Sequence, residues 1–346
     1  MDPPPPRLRR AGRQDDEAVR ATNEDAATSK LSAVSMGYIH DDFVASFVRK
    51  PQRRAPIINR GSYVRSTALA TLISLFLQLP IGHDKQIVSL GAGSDTRYFL
   101  LRKEGLQPKR YFEIDFMEVT SKKALAIKQS KDMSELLGPY QLASGGTDLY
   151  SDQYCILAGD LRNWETAIVP KLLAHGLDIT LPTLFISECV LIYMPPEDAD
   201  RIVSWIPQHI HNAFFITYEQ ILPNDTFGKT MIENLKMRKI ELPGIYAYPT
   251  LESQKQRYLS DGWDIADSID VNHIYDSCIP PSEQHRISRL EIFDELEEWK
   301  LLSAHYCVSW AVKSSSPDYL PVLANQFGLK AAENSCSVKG GSPKCK

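Results

Sequence analysis

A chain of 346 residues corresponds to roughly two average domains or one large α/β domain. Its 43% hydrophobic and 24% charged residues are typical of a globular protein and exclude a disordered chain, a collagen-like repeat and a disulfide-stapled miniprotein. A net charge of −4, from 39 basic and 43 acidic residues, excludes a global field that would draw the protein onto nucleic acid or an anionic membrane.

The opening run Met1–Ala18 is rich in Pro, Arg and Asp and holds no Val, Ile or aromatic residue. Such a segment buries too little to offset its ordering entropy, so residues 1–29 are expected to form a flexible arm. The run lacks the apolar core of a secretory signal, and Asp15, Asp16 and Glu17 argue against a transit peptide. The expected location is cytoplasmic, with the nucleus as the alternative. Residues 63–79 place Leu69, Leu72, Ile73, Phe76 and Leu77 on one helical face, and Pro80-Ile81-Gly82 stops that helix. Arg65 then falls in its first turn, where the helix dipole disfavours a cation. Either Arg65 or Arg60 could be held there by an anion such as a ligand carboxylate.

Short apolar strands follow at residues 86–90, 111–114, 154–158, 183–187 and 213–218, each succeeded by helical periodicity. Continuous apolar strands alternating with helices predict a mostly parallel, doubly wound sheet covered on both faces. Further helices are expected over residues 225–239, 250–261 and 292–304. Strands are expected at 263–269 and 305–312, the last completing the parallel sheet. No membrane-spanning run is present. The six cysteines show no C-x-x-C pair, and His273, Cys278 and His285 match no common zinc spacing, so neither a disulfide framework nor a metal is expected. Residues 314–346 are poor in core formers and are expected to form a flexible tail.

The sharpest feature is Leu90-Gly91-Ala92-Gly93-Ser94-Asp95-Thr96-Arg97. A strand running into Gly-x-Gly lets backbone approach a ligand, because glycine tolerates positive φ and lacks a Cβ. A dinucleotide loop would carry a third glycine where Thr96 stands, so a ligand without a pyrophosphate, such as S-adenosylmethionine, fits better. Four acids follow at strand ends: Glu113 and Asp115, then Asp160, then Glu188. Open parallel sheets bind ligands at the carboxyl ends of their strands, and an acid after the second strand can accept from ribose hydroxyls.

The loop resembles the signature of the leucine carboxyl methyltransferase family. The resemblance extends through Ser35-Met36-Gly37-Tyr38, residues 55–61, 111–116, 158–162 and 187–194, Tyr218-Glu219-Gln220, and residues 225–235. It implies a class I S-adenosylmethionine-dependent methyltransferase fold over residues 30–313, with a helical lid inserted at about 220–262. It further implies that Lys30 and Arg65 hold the cofactor carboxylate and that Glu188 pairs with its amino group. Gly91 would contact the methionine portion through its backbone, Asp115 the ribose, and Asp160 with Leu161 the adenine. The implied activity is transfer of a methyl group to the C-terminal leucine carboxylate of the protein phosphatase 2A catalytic subunit, an ester that regulates holoenzyme assembly. A tRNA wybutosine-type carboxyl methyltransferase and a non-catalytic cofactor-binding scaffold are the alternatives. A terminal carboxylate is already ionised at neutral pH, so no general base and no Asp–His pair are expected. Tyr193, just past the fourth apolar strand, could orient the acceptor. A monomer is expected.

Overall fold

The computed structural model describes residues 12–332, with side chains from residue 16. Residues 1–11 of the expected arm and residues 333–346 of the expected tail, with Cys336 and Cys345, lie outside the described residues.

The chain opens with helix α1 (Gly12–Ser35) and α2 (Pro56–Gln78), then alternates strands and helices. In order these are β1 (Gln86–Leu90), α3 (Arg97–Glu104), β2 (Arg110–Asp115), α4 (Met117–Gln129) and α5 (Lys131–Leu137). A hairpin, β3 (Tyr140–Ala143) and β4 (Asp148–Ser151), precedes β5 (Tyr154–Ala158), α6 (Val169–Ala174), β6 (Thr183–Glu188), α7 (Pro196–His209) and β7 (Ala213–Gln220). Then come α8 (Thr226–Met237), α9 (Leu251–Ser260), β8 (Ile265–Asp270), the short α10 (Val271–His273), α11 (Pro281–Ser288), α12 (Leu296–Ala304), β9 (Tyr306–Lys313) and α13 (Leu320–Gln326).

One sheet results, in the order β3-β4-β5-β2-β1-β6-β7-β9-β8. Its five central strands, β5 to β7, are parallel. Successive side chains of a strand leave opposite faces. Ile87, Leu184, Ile186, Phe214 and Ile216 therefore pack with Leu69, Leu72, Ile73 and Phe76 of α2. Val88, Phe185 and Phe215 pack with Leu172 of α6 and Ile202, Val203 and Ile206 of α7. The layers are helix, sheet, helix, as the apolar strands predict.

Three expectations change, and one element was not foreseen. The closing strand β9 is not parallel: it runs antiparallel to both β7 and β8, wedged between them. An apolar run identifies a strand but carries no information on its direction. The hairpin β3–β4, weakly apolar and short, also escaped the pattern. Helix α2 begins at Pro56, because proline's fixed φ suits a first helical position, so Arg65 lies mid-helix and the dipole argument for it lapses. The tail is ordered at least to residue 332: α13 buries Leu323, and Phe327 packs edge-on against Phe214 with ring centroids 5.0 Å apart.

The largest departure is the arm. Residues 12–29 belong to α1, which lies on α2 and buries Ala27, Leu31 and Ala33. Its polar face is matched by charges from elsewhere: Asp16 with Arg162 at 2.9 Å, Glu24 with Lys122 at 2.9 Å, and Asp25 with Arg54 at 3.4 Å and with Arg238. Lys30 joins Asp41 at 2.6 Å and donates to Thr96 Oγ1 at 2.8 Å, and that hydroxyl donates to Asp41 at 2.5 Å. Thr96, where a third glycine was missing, thus anchors α1 to the loop after β1. Replacing Thr96 by Val keeps the shape and deletes both bonds. Leaving the buried Asp41 less satisfied should lower stability by about 1–3 kcal/mol, read by denaturant unfolding.

Candidate active site

The carboxyl ends of the central strands open onto one cavity of about 490 Å³. It lies where the chain order reverses about β1, with β2 and β5 to one side and β6 and β7 to the other, the usual ligand position in such sheets. Lys30, Arg65, Gly91, Asp115, Asp160, Leu161, Glu188 and Tyr193 all line it.

Gly91 (φ +60°) and Gly93 (φ +51°) both adopt left-handed backbone. A Cβ on Gly91 would sit 2.5 Å from Val190 Cγ2, and one on Gly93 would sit 2.5 Å from Asn23 Oδ1. The second contact exists because Asn23 of α1 accepts a hydrogen bond from Ser94 N at 2.8 Å. The loop is therefore bare for a double reason, conformation and close approach.

At the centre, Glu188 at the end of β6 accepts from Arg65 Nε at 2.7 Å and from Arg97 Nη1. Arg97 also pairs with Asp95 at 2.9 Å. Burial by itself raises the pKa of the Glu188 carboxyl, but the two guanidiniums outweigh it and bring the value to about 2. Arg65 further lies over the Tyr218 ring, 4.8 Å from its centroid. Arg97 is a functional candidate that sequence reasoning left without a role, although it stands directly after Thr96 in the loop motif.

Asp115, at the end of β2, accepts from Gly93 N and Phe116 N, each at 2.7 Å. Burial nevertheless pushes its carboxyl up to about 6. Asp160 is gripped by its neighbour Arg162, with Nη2 at 2.7 Å, and Arg162 also reaches Asp16 of α1. Burial pushes the Tyr193 phenol well above its ordinary value, so the hydroxyl stays protonated and can donate. Glu113, the fourth strand-end acid, is not at the cavity: it is 1% exposed and held by Lys123 and by the Tyr154 hydroxyl at 2.8 Å. Burial raises its carboxyl to about 7.

Beyond Tyr193 the wall turns apolar. Leu235 and Ile240 come from the segment at 220–262, together with Arg238, and face Tyr218, Gln220, Leu302 and Tyr306. An Asp–His pair does exist, contrary to expectation: His305 Nε2 lies 2.9 Å from Asp225 Oδ1. It lies outside the cavity lining. His305 Nδ1 faces Leu301 O at 2.7 Å, so both ring nitrogens are engaged and the pair ties the start of α8 to the end of α12. Among the described residues no group of three metal-ligating side chains occurs, and Cys155, Cys189, Cys278 and Cys307 are free thiols.

A mostly parallel sheet with a Gly-x-Gly turn at its switch point, acids at the ends of β2 and β6 and an antiparallel β9 is the fold of a class I methyltransferase. The family model of leucine carboxyl methyltransferases matches residues 18–207, and the chain belongs to that family. It is 45% identical over 303 residues to the leucine carboxyl methyltransferase 1 homolog of Arabidopsis thaliana, covering 86% of this chain and 90% of that one. It is 41% identical over 307 residues to leucine carboxyl methyltransferase 1 of Bos taurus, covering 87% and 92%. It is also 39% identical over 313 residues to tRNA wybutosine-synthesizing protein 4 of Homo sapiens, covering 88% of this chain but 45% of that protein.

The depressed Glu188 has a stability consequence. A lowered folded pKa contributes stability that is present above the unfolded value, about 4.3, and is lost as pH falls toward 2. Glu188→Gln leaves Arg65 without its carboxylate and Arg97 with Asp95 alone, costing about 1–3 kcal/mol near pH 7. The melting-temperature gap between wild type and variant should be widest near neutrality and close as pH falls below 4.

Proposed function

We propose that this protein transfers a methyl group from S-adenosylmethionine to the α-carboxylate of the C-terminal leucine of the protein phosphatase 2A catalytic subunit. The observation that carries this reading is the Arg65–Glu188–Arg97 cluster above the bare Gly91–Gly93 loop, in a chain of this family. An amino-acid end group brings one ammonium and one carboxylate. Glu188 offers a charge for the first, and Arg65 a planar fork for the second. Lys30, 20% exposed at its side chain and already tied to Asp41, supplies a further positive charge at the same wall.

The cofactor supplies an electrophilic methyl group on a sulfonium. Asp115 would accept from the ribose hydroxyls, and Leu161 with Asp160 would border the adenine. That assigns the β2 and β5 side of the cavity to the nucleoside, leaving the β6 and β7 side, with Tyr193, Leu235, Ile240 and Leu302, to the acceptor. An apolar pocket there suits a leucine side chain. The acceptor carboxylate, with a pKa of roughly 3.3–3.7, is ionised at neutral pH and needs no base. The protein's part is to align it and exclude water. Tyr193 would donate to the acceptor oxygen that is not methylated.

Asp115 must be ionised to serve ribose hydroxyls, and its carboxyl titrates near 6. Cofactor affinity is therefore expected to be flat above about pH 7 and to fall below 6, approaching tenfold per pH unit. Calorimetry between pH 5 and 8 checks this. An unchanged profile in Asp115→Asn would refute the assignment.

The activity is tested with S-adenosylmethionine labelled on its methyl group. Label is expected in purified phosphatase catalytic subunit, released by mild base as methanol, as an ester requires. No label is expected in the same protein lacking its terminal leucine, nor in tRNA. Incorporation into tRNA alone would favour the wybutosine-type reading.

A further inference from the structure

Arg60 and Arg65 lie on the same helix but face different cavities. Arg65 lines the cavity at the strand ends, whereas Arg60 lines a second one of about 650 Å³. The two cavities share one wall residue, Trp299. Arg60 is 4% exposed, its Nε has no hydrogen-bond partner, and no carboxylate pairs with it among the described residues. Its guanidinium is instead packed among aromatic faces, 3.5 Å from the Phe293 ring centroid, 5.4 Å from Tyr275 and 5.8 Å from Trp299. Ring faces compensate part of the cost of burying a cation, but they leave the N–H donors in the guanidinium plane unused.

The surroundings sharpen what would use them. Arg289 and Lys300 stand at the rim of the cavity. Of the two acids lining it, Glu291 is already engaged by Arg53 at 2.8 Å and Asn59 at 2.9 Å, which leaves Asp276 against three cations. The lip is apolar and open, with Ile292 91% and Leu296 56% exposed.

We infer that the Arg60 cavity is a second recognition site, taking an oxyanion carried by the acceptor protein beside apolar residues, upstream of the terminal residue that enters the main cavity. The inference rests on the proposed acceptor. A carboxylate side chain or a phosphoryl group would each match the guanidinium fork, and apolar neighbours would cover Ile292 and Leu296. Trp299, which lines both cavities, is the point past which such a segment runs.

The test measures methyl incorporation against acceptor concentration for wild type, Arg60→Met, which keeps an aliphatic stem under Phe293, and Arg60→Lys, which keeps the charge without the fork. The exposed double variant Arg289→Glu/Lys300→Glu serves if the buried substitution prevents folding. Arg60→Met should raise the acceptor KM by about tenfold or more, with Arg60→Lys intermediate and kcat and cofactor affinity within about twofold. The rim variant should move KM in the same direction. Glutarate and inorganic phosphate, as free anions, should compete weakly with the acceptor on wild type and not on Arg60→Met. Acceptors with single acidic residues of the terminal segment neutralised, or treated to remove phosphate, identify the source: the one whose penalty disappears in Arg60→Met supplies the oxyanion. An unchanged acceptor KM in both the Arg60→Met and rim variants overturns the inference, as does a loss of cofactor affinity parallel to the loss of acceptor affinity. If wild type labels no phosphatase at all, the acceptor assignment fails. Calorimetric titration of wild type and Arg60→Met with phosphate and glutarate then still decides whether the cavity holds an anion.

Discussion

Everything at the strand ends is arranged around one half-buried carboxylate. Glu188, at the tip of β6, is bracketed by Arg65 from the middle of α2 and Arg97 from the start of α3, and Arg97 is balanced in turn by Asp95. Two guanidiniums and two carboxylates make a neutral cluster, which is the condition under which charges persist in a place poorly reached by water. A zwitterionic amino-acid group adds one charge of each sign and preserves that neutrality. The cluster also ties two helices to the sheet, so the groups that would bind a ligand are the same groups that hold the cavity in shape.

The second constraint is the wall opposite the loop. Helix α1 has too few apolar residues to fold by burial alone, yet it forms the cavity's outer side, with Asn23 pressed on Gly93 and Lys30 locked to Thr96 and Asp41. Its charges are met by Arg162, Lys122, Arg54 and Arg238, which come from widely separated parts of the chain. Exposed pairs of this kind are individually weak. Their effect here is to orient a helix that the Thr96 anchor has already placed. Arg238, beyond α8, pairs with Asp25 of α1, so α1 and the segment after β7 meet each other as well as the sheet.

Much of the fold was legible because it depends on local pattern. Apolar strands at 86–90, 154–158 and 213–218 and the stripe on α2 are periodicities that survive without knowledge of neighbours. The site was legible for a related reason: a parallel sheet sends the residues after its strands to one edge, so Gly91, Asp115, Asp160 and Glu188 had to be neighbours once the strands were recognised. Glu113 broke that rule because it sits two residues before the end of β2, where Asp115 and not Glu113 reaches the edge, and Lys123 and Tyr154 hold it in the core. Arg97 was passed over although it closes the loop motif, because its role comes from Glu188, 91 residues away. The order of the arm and of the start of the tail was illegible, because composition measures what a segment can bury by itself and not what other elements bring to it.

The amino-acid sequence by itself determined the layered α/β class, the bare loop after β1, the acids that line the cavity and the family to which they belong, since each follows from residue type at fixed spacing. Only the tertiary structure decided the antiparallel insertion of β9, the conversion of the arm into a wall, and the separation of Arg60 from Arg65 into two cavities. Those features turn on strand direction, on charge partners far apart in the chain and on which distant elements enclose a cavity against each face of α2, none of which local pattern encodes.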